Sequence, residues 1–157
     1  MAPTFIRDGD ITHLYPPFTQ AVRDALMTLS ATGFDIFVFE GLRSFDQQAL
    51  RYAQGRTTPG SIITRARPGY SWHQYGCAVD LVFGGDGKWS WSGNYDGVER
   101  IMRVKGFESL SFERPHFQMT FGLDIDEAFT LNASGGLPAV WGRLDQLRRG
   151  PKATPLT

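Results

Sequence analysis

Apolar side chains recur along this chain with two periods, and the switches between them lay out a mixed fold. Phe18, Ala21, Val22, Ala25, Leu26 and Leu29 keep the three-and-four spacing of an amphipathic helix over about residues 18–32, introduced by Pro16-Pro17 and stopped at Gly33. Phe34 to Glu40 is aromatic and β-branched, which predicts a strand ended by Gly41. Ser44 and Gln47 have the spacing of a capping box for a second helix over about 45–54, with Gly55 as its stop. Residues 55–70 carry Gly55, Pro59, Gly60, Pro68 and Gly69, a loop composition, with Ile62-Ile63 as a short strand inside it. Cys77 to Phe83 predicts a central strand. Its alternation sets Ala78, Asp80 and Val82 on one face and Cys77, Val79, Leu81 and Phe83 on the other, with Cys77 in the core.

Gly84 to Asp96 is a glycine-rich loop bearing Trp89 and Trp91. Its acidic residues lack the spacing of an EF-hand, so it reads as a structural or substrate-facing wall. Val98, Ile101, Met102 and Lys105 predict a helix near 96–105, ended by Gly106. Pro115 biases Arg114 away from helix, and His116 to Phe121 alternate as a strand entered from a loop that holds Glu113. Asp124 and Glu127 repeat the capping-box spacing for a short helix to about 131, and Asn132 to Gly136 reads as a linker. Leu137, Val140, Trp141, Leu144 and Leu147, with Pro138 in the first turn, predict a last helix whose Arg143, Arg148 and Arg149 form a solvated face. Residues 1–132 are thus expected as one domain. The linker and helix of 133–157 are too short to stand alone and are expected to pack on it.

Composition narrows the class. At 157 residues, 41% hydrophobic and 20% charged, the chain is long enough for a real core and reads as globular. Sixteen basic and sixteen acidic residues cancel to a formal net charge of zero, so bulk electrostatics favours neither nucleic acid nor an anionic membrane. No stretch approaches the roughly 20 apolar residues of a membrane span, and Met1 to Asp10 is polar rather than signal-like. Synthesis in the cytoplasm is expected, with another export route for any action outside. The single cysteine, Cys77, excludes a disulfide framework and a cysteine-rich zinc finger, so a metal site here must use nitrogen and oxygen ligands.

Such ligands are present. Of the three histidines, His13, His73 and His116, two lie near carboxylates in Ser71 to Asp80 and Glu113 to Gln118. Asp80 is a carboxylate in an apolar strand, and it needs a metal, an arginine or several N–H donors to be buried there as an anion. His73, Asp80 and His116 supply the three protein ligands of a catalytic zinc, with a fourth position open, and Glu113 is a carboxylate in reserve to act as base. A histidine at such spacing is by itself more often structural than a ligand. By position alone Arg43, at a strand-to-helix turn, reads equally well as a solvated turn residue.

The surroundings carry more. Ser71-x-His73-x-x-Gly76-x-Ala78-x-Asp80, followed by Glu113-x-Pro115-His116-Phe117, resembles the signature of zinc D-Ala-D-Ala carboxypeptidases and L-alanyl-D-glutamate peptidases. Gly41 to Phe45 and Tyr52 to Gly60 are similar to the upstream blocks of the endolysin-like branch, so the resemblance covers about residues 34–122. It implies a small α+β domain, with a central antiparallel sheet flanked by helices as in hedgehog and D-Ala-D-Ala peptidase folds. It implies Zn2+ on His73, Asp80 and His116, Glu113 as the catalytic carboxylate, Arg43 on the scissile carbonyl oxygen and Ser71 as a substrate-side group. The activity implied is hydrolysis of peptidoglycan stem peptides by a monomer, at the L-alanyl-D-glutamate bond in a lytic enzyme released by a holin-type partner. D-alanyl-D-alanine carboxypeptidase activity is the alternative, and a non-catalytic zinc-fold binding module is the rival of another class. Lys105 to Phe112 departs from the tryptophan- and glycine-rich segment of many relatives, so the resemblance does not carry substrate contacts over to that stretch, while it leaves the ligand set intact.

Overall fold

The computed structural model describes residues 4–85 and 87–150. Contacts divide the chain after Met119 into two compact units. The first holds an antiparallel sheet and three helices, an α+β arrangement as expected. Helix α1, Pro16–Ala31, begins at its two prolines, where a missing N–H costs nothing, and turns Phe18, Val22, Ala25 and Leu29 inward. Strand β1, Ile36–Glu40, leads to helix α2, Phe45–Ala53, capped by Ser44 Oγ accepting from the Gln47 amide. The capping box is only half made, because Gln47 Oε1 accepts instead from Ile6 N and Arg51. Strand β2, Ala78–Phe83, helix α3, Tyr95–Val104, and strands β3, Glu108–Leu110, and β4, Glu113–Gln118, complete the unit.

The sheet order is β1-β2-β4-β3, with β2 inside and covered on both faces. Phe18 of α1 meets Phe107 edge-on at 5.6 Å between centroids, and Val98, Met102 and Phe117 close the same core with Cys77. Register decides the chemistry. Asp80 stands opposite His116 on one side and, after a bulge between Val38 and Glu40, opposite Glu40 on the other. Glu40, Asp80 and His116 therefore form one row across three strands.

Several expectations are corrected. Ile62-Ile63 forms no strand and is exposed. Strand β3 lies in the Lys105–Phe112 segment, which had shown no strand pattern. Strand β4 takes in Glu113 and ends at Gln118 rather than at 121, the chain then turning through Phe121 (φ 52°) and Gly122 (φ 81°). In the second unit, α4 spans Ile125–Arg149, with Asp124 Oδ1 accepting from the amides of Asp126 and Glu127. Asn132 to Gly135 are helical, and the expected linker reduces to one kinked residue, Gly136, at φ 67° and ψ −166°, with Pro138 starting the next segment. Arg143 is not simply solvated, since its Nε donates to Glu127 Oε1 across that kink at 2.7 Å. Among the described residues no helix is long and apolar enough to cross a membrane.

Candidate metal centre and cleft

His73 sits in a single 3-10 turn, Trp72–Tyr75, just before β2. Ser71 caps the turn with its Oγ, Gln74 Oε1 accepts from the Ser71 amide in return, and Gly76 closes it at φ 71°, a left-handed conformation that side chains resist. The turn buries the imidazole and fixes its tautomer. His73 Nδ1 lies 2.7 Å from the Gly41 carbonyl, so it carries the donated proton and leaves the Nε2 lone pair facing Asp80 Oδ1 at 3.3 Å. His116 is held the other way round. Its Nε2 donates to Gln118 Oε1 at 2.8 Å, and Gln118 is oriented by its own amide donating to Glu108 on β3, so Nδ1 is the free nitrogen. One ligand atom each of His73, Asp80 and His116 lie within 4.8 Å of one another.

This donor set fits a divalent metal on the molecule's own terms. Among the described residues the buried His116 Nδ1 has no hydrogen-bond partner, although Asp80 Oδ1 is only 3.3 Å away, so the pair is close but wrongly angled for a hydrogen bond. Burial opposes charge on both groups, raising the Asp80 carboxyl and lowering the His116 imidazolium. Attraction outweighs it. The two imidazoles hold Asp80 well below the usual carboxylate range, and Asp80 holds His116 above its ordinary value. Two imidazole nitrogens and a carboxylate that converge on one point and favour positive charge between them call for a cation. Zinc takes this set of nitrogen and oxygen ligands readily.

Behind the cluster lies a network that sequence reasoning missed. Arg43 is not a solvated turn residue, being 8% exposed. Its Nε and Nη2 grip both Glu40 oxygens at 3.1 and 2.6 Å, Nη1 reaches Gln48 Oε1 at 2.9 Å, and Nη2 approaches Asp80 Oδ2 at 3.4 Å. Arg51 adds a 2.9 Å bond to Glu40 Oε1. Glu40 thus ties two buried arginines, and Arg43 in turn orients Asp80. Glu40 closing the apolar run of residues 34–40 was the available signal. Gln48 and Arg51 offered none, because polar residues on a short helix look alike until the tertiary fold turns one face inward.

Glu113 lies at the rim. Simple alternation would send it to the opposite face from His116, yet both line one cavity of about 380 Å³ with Arg43, Ser71 and His73. The β3 pairing jumps from Ser109–Phe117 to Leu110–Glu113, leaving Arg114-Pro115-His116 bulged, which frees the strand to re-aim its side chains. Arg114 ties the bulge to α3 through Asp96 and Glu99. The Glu113 side chain is exposed and makes no hydrogen bond or ion pair among the described residues. It also lines two further cavities, so three lobes of the cleft meet at this carboxylate. All six residues singled out by sequence come together here, although Ser71 also serves as the cap of the His73 turn.

Gln118 gives a test of the centre that leaves its ligands untouched. Gln118→Leu removes the acceptor that fixes the His116 tautomer, and affinity for an added divalent metal is expected to fall by about 10–100-fold. Competitive titration against a chelator checks this, and an unchanged affinity would show that Gln118 does not orient His116.

A family model described as VanY, D-alanyl-D-alanine carboxypeptidase, matches residues 12–115. The chain is 39% identical over 104 residues to the peptidoglycan L-alanyl-D-glutamate endopeptidase CwlK of Bacillus subtilis (strain 168), an alignment covering 59% of this chain and 62% of that protein. It therefore spans less than two thirds of that relative's length. Among solved structures it is similar to an L,D-carboxypeptidase, DacB, from Streptococcus pneumonia, with TM-score 0.53 and 25% identity over 76% of this chain and 71% of that one. It is also similar to the Serratia marcescens L-Ala D-Glu endopeptidase ChiX, with TM-score 0.48 and 27% identity over 74% and 92% of the two chains. The matched span contains Arg43, Ser71, His73, Asp80 and Glu113 and stops one residue short of His116, which the sheet register places opposite Asp80. On that match, over most of its length, the chain belongs to the VanY family of D-alanyl-D-alanine carboxypeptidases.

Proposed function

We propose that this protein is a zinc-dependent peptidase that hydrolyses the L-alanyl-D-glutamate bond of peptidoglycan stem peptides. The observation that carries the reading is the buried convergence of His73, Asp80 and His116 beside Glu113, whose exposed carboxylate has no hydrogen-bond or ion-pair partner among the described residues. The named activity of CwlK supports the choice of bond. Bound there, zinc would supply Lewis acidity, acidifying water and polarising a carbonyl. The chain's own residues do the rest. The Glu113 carboxylate accepts a proton from the attacking water as oxygen bonds to the carbonyl carbon. It returns that proton to the amide nitrogen as the C–N bond breaks, releasing a carboxylic acid and an amine. Four of the five Arg43 N–H groups are engaged among the described residues, which leaves one Nη1 hydrogen for the carbonyl oxygen as it gains charge. Ser71, on the cavity wall, is placed to hydrogen-bond the peptide.

Arg65 and Arg67 on the same cavity give a place for a substrate carboxylate. That feature also favours a second reading, D-alanyl-D-alanine carboxypeptidase activity, because a terminal carboxylate would suit it equally. Mass spectrometry of muropeptides after digestion separates the two. New N-terminal D-glutamyl peptides are expected, whereas loss of a terminal alanine alone would replace the first reading with the second. A lytic role of the endolysin type, as a monomer released by a holin-type partner, belongs to the same proposal and rests on the resemblance of Gly41–Phe45 and Tyr52–Gly60. About one zinc per chain is expected, with activity lost to chelator and restored by zinc. Full activity in chelator, with no transition metal by elemental analysis, would remove zinc from the proposal.

A further inference from the structure

The cleft has a second arm that the chemistry above does not use. Beyond Arg43, Asp80 and Glu113, a cavity of about 430 Å³ is walled by Phe39, Trp89 and Trp91. Trp89 and Trp91 are 46% and 43% exposed, high for indoles with close aromatic neighbours. Their other contacts are fixed. Phe39 meets Trp89 and Trp91 edge-on at 4.8 and 4.6 Å, the two indoles meet at 5.5 Å, and the Arg7 guanidinium stacks 3.7 Å from the centre of the Phe39 ring. The loop that carries them is also pinned. Phe83 and Ser90 exchange backbone hydrogen bonds of 3.1 and 2.8 Å between the two tryptophans, and Gly84 at φ 125° allows the return, since a Cβ there would run into the Lys88 carbonyl oxygen. The result is a pre-formed aromatic corner with a polar, charged floor, suited to a ligand with one apolar face and many hydroxyl or amide groups.

We infer that Trp89 and Trp91 form a subsite for the muramoyl sugar of the glycan strand, stacked by its C–H face on the indoles. The inference rests on the L-alanyl-D-glutamate reading, and that reading demands such a neighbour. L-alanine is joined to muramic acid through the lactyl group, so the sugar follows the scissile bond after one residue, at most about 3.6 Å, and that short link. A cut between the terminal alanines would interpose four residues, up to about 14 Å. An aromatic corner opening directly on Asp80 and Glu113 has its use in the first case. Arg65 and Arg67, on the separate arm, are left for the D-glutamyl carboxylate.

The test compares two stem peptides on the zinc-loaded full chain, one carrying N-acetylmuramic acid on L-alanine and one carrying only an acetyl group. The parent is expected to prefer the muramoyl substrate in kcat/KM. Trp89→Ala and Trp91→Ala are each expected to lower that preference by up to about tenfold, while Trp91→Phe keeps part of it. Thermal melting confirms that the variants fold. An unchanged preference, or equal losses on both substrates, would overturn the subsite. Should the parent cut neither peptide at L-Ala–D-Glu, the bond assignment fails separately. Calorimetric binding of peptide-free muramoyl glycan then decides the subsite: affinity that falls in both alanine variants sustains it, and no binding by the parent rejects it.

Discussion

Glu113→Gln is expected to keep zinc and fold while hydrolysis of stem peptide falls by roughly 10³–10⁴-fold. The side chain is exposed and free of hydrogen bonds and ion pairs among the described residues, so strand β4 does not rest on it, and its charge reaches the His-Asp-His cluster only as a through-space attraction to His116. Glutamine preserves its length and its ability to orient water but cannot take the proton. Because one carboxylate serves both the attacking water and the departing amine, the loss should lie at the upper end of what a single general base contributes. Zinc stoichiometry, melting temperature and stem-peptide turnover on the same preparation check it. If the variant holds zinc and turns over within tenfold of the parent, Glu113 is a bystander at the rim and the base lies elsewhere in the cleft.

The contrast between Glu113 and Arg43 shows what sequence reading reached and what it did not. That His73, Asp80 and His116 come together was legible from the motif around them, which resembles a known family's, and from a carboxylate in an apolar strand that demands a partner, whereas their spacing alone favoured a structural role. The helices were legible from periodicity, and the Ser44 and Asp124 caps from their local chemistry. Position alone left Arg43 open between a solvated turn residue and a site residue, since its burial comes from β1 bulging to set Glu40 opposite Asp80, a tertiary event with no local trace. The same holds for β3, whose three residues are too short to display a period, and for Glu113 facing the cavity of His116, which requires the β4 bulge. Gln118 illustrates the general case. It looked like one more residue of an alternating strand, and only the register of β3 beside β4 reveals that it links Glu108 to a ligand tautomer.

Glu40 should be the residue whose loss the fold tolerates least. Glu40→Leu removes the one carboxylate among the described residues that bridges Arg43 and Arg51, leaving two guanidinium groups in a site where all three side chains are under 10% exposed. Breaking a buried pair by deleting one partner costs about 3–5 kcal/mol, because the remaining charge is stranded without water. Against a total stability of about 5–15 kcal/mol, that corresponds to a melting shift on the order of 10 °C. Adding Arg51→Met should recover part of the loss, since one stranded cation is removed while Arg43 keeps Gln48 and Asp80. Turnover is expected to stay low in the double variant even where it folds, because Arg43 without its two-point grip on Glu40 is no longer aimed. Calorimetric melting of the parent, single and double variants measures the coupling. Strict additivity of the two substitutions, or a Glu40→Leu protein as stable and active as the parent, would mean that the network neither supports the strand row nor positions Arg43.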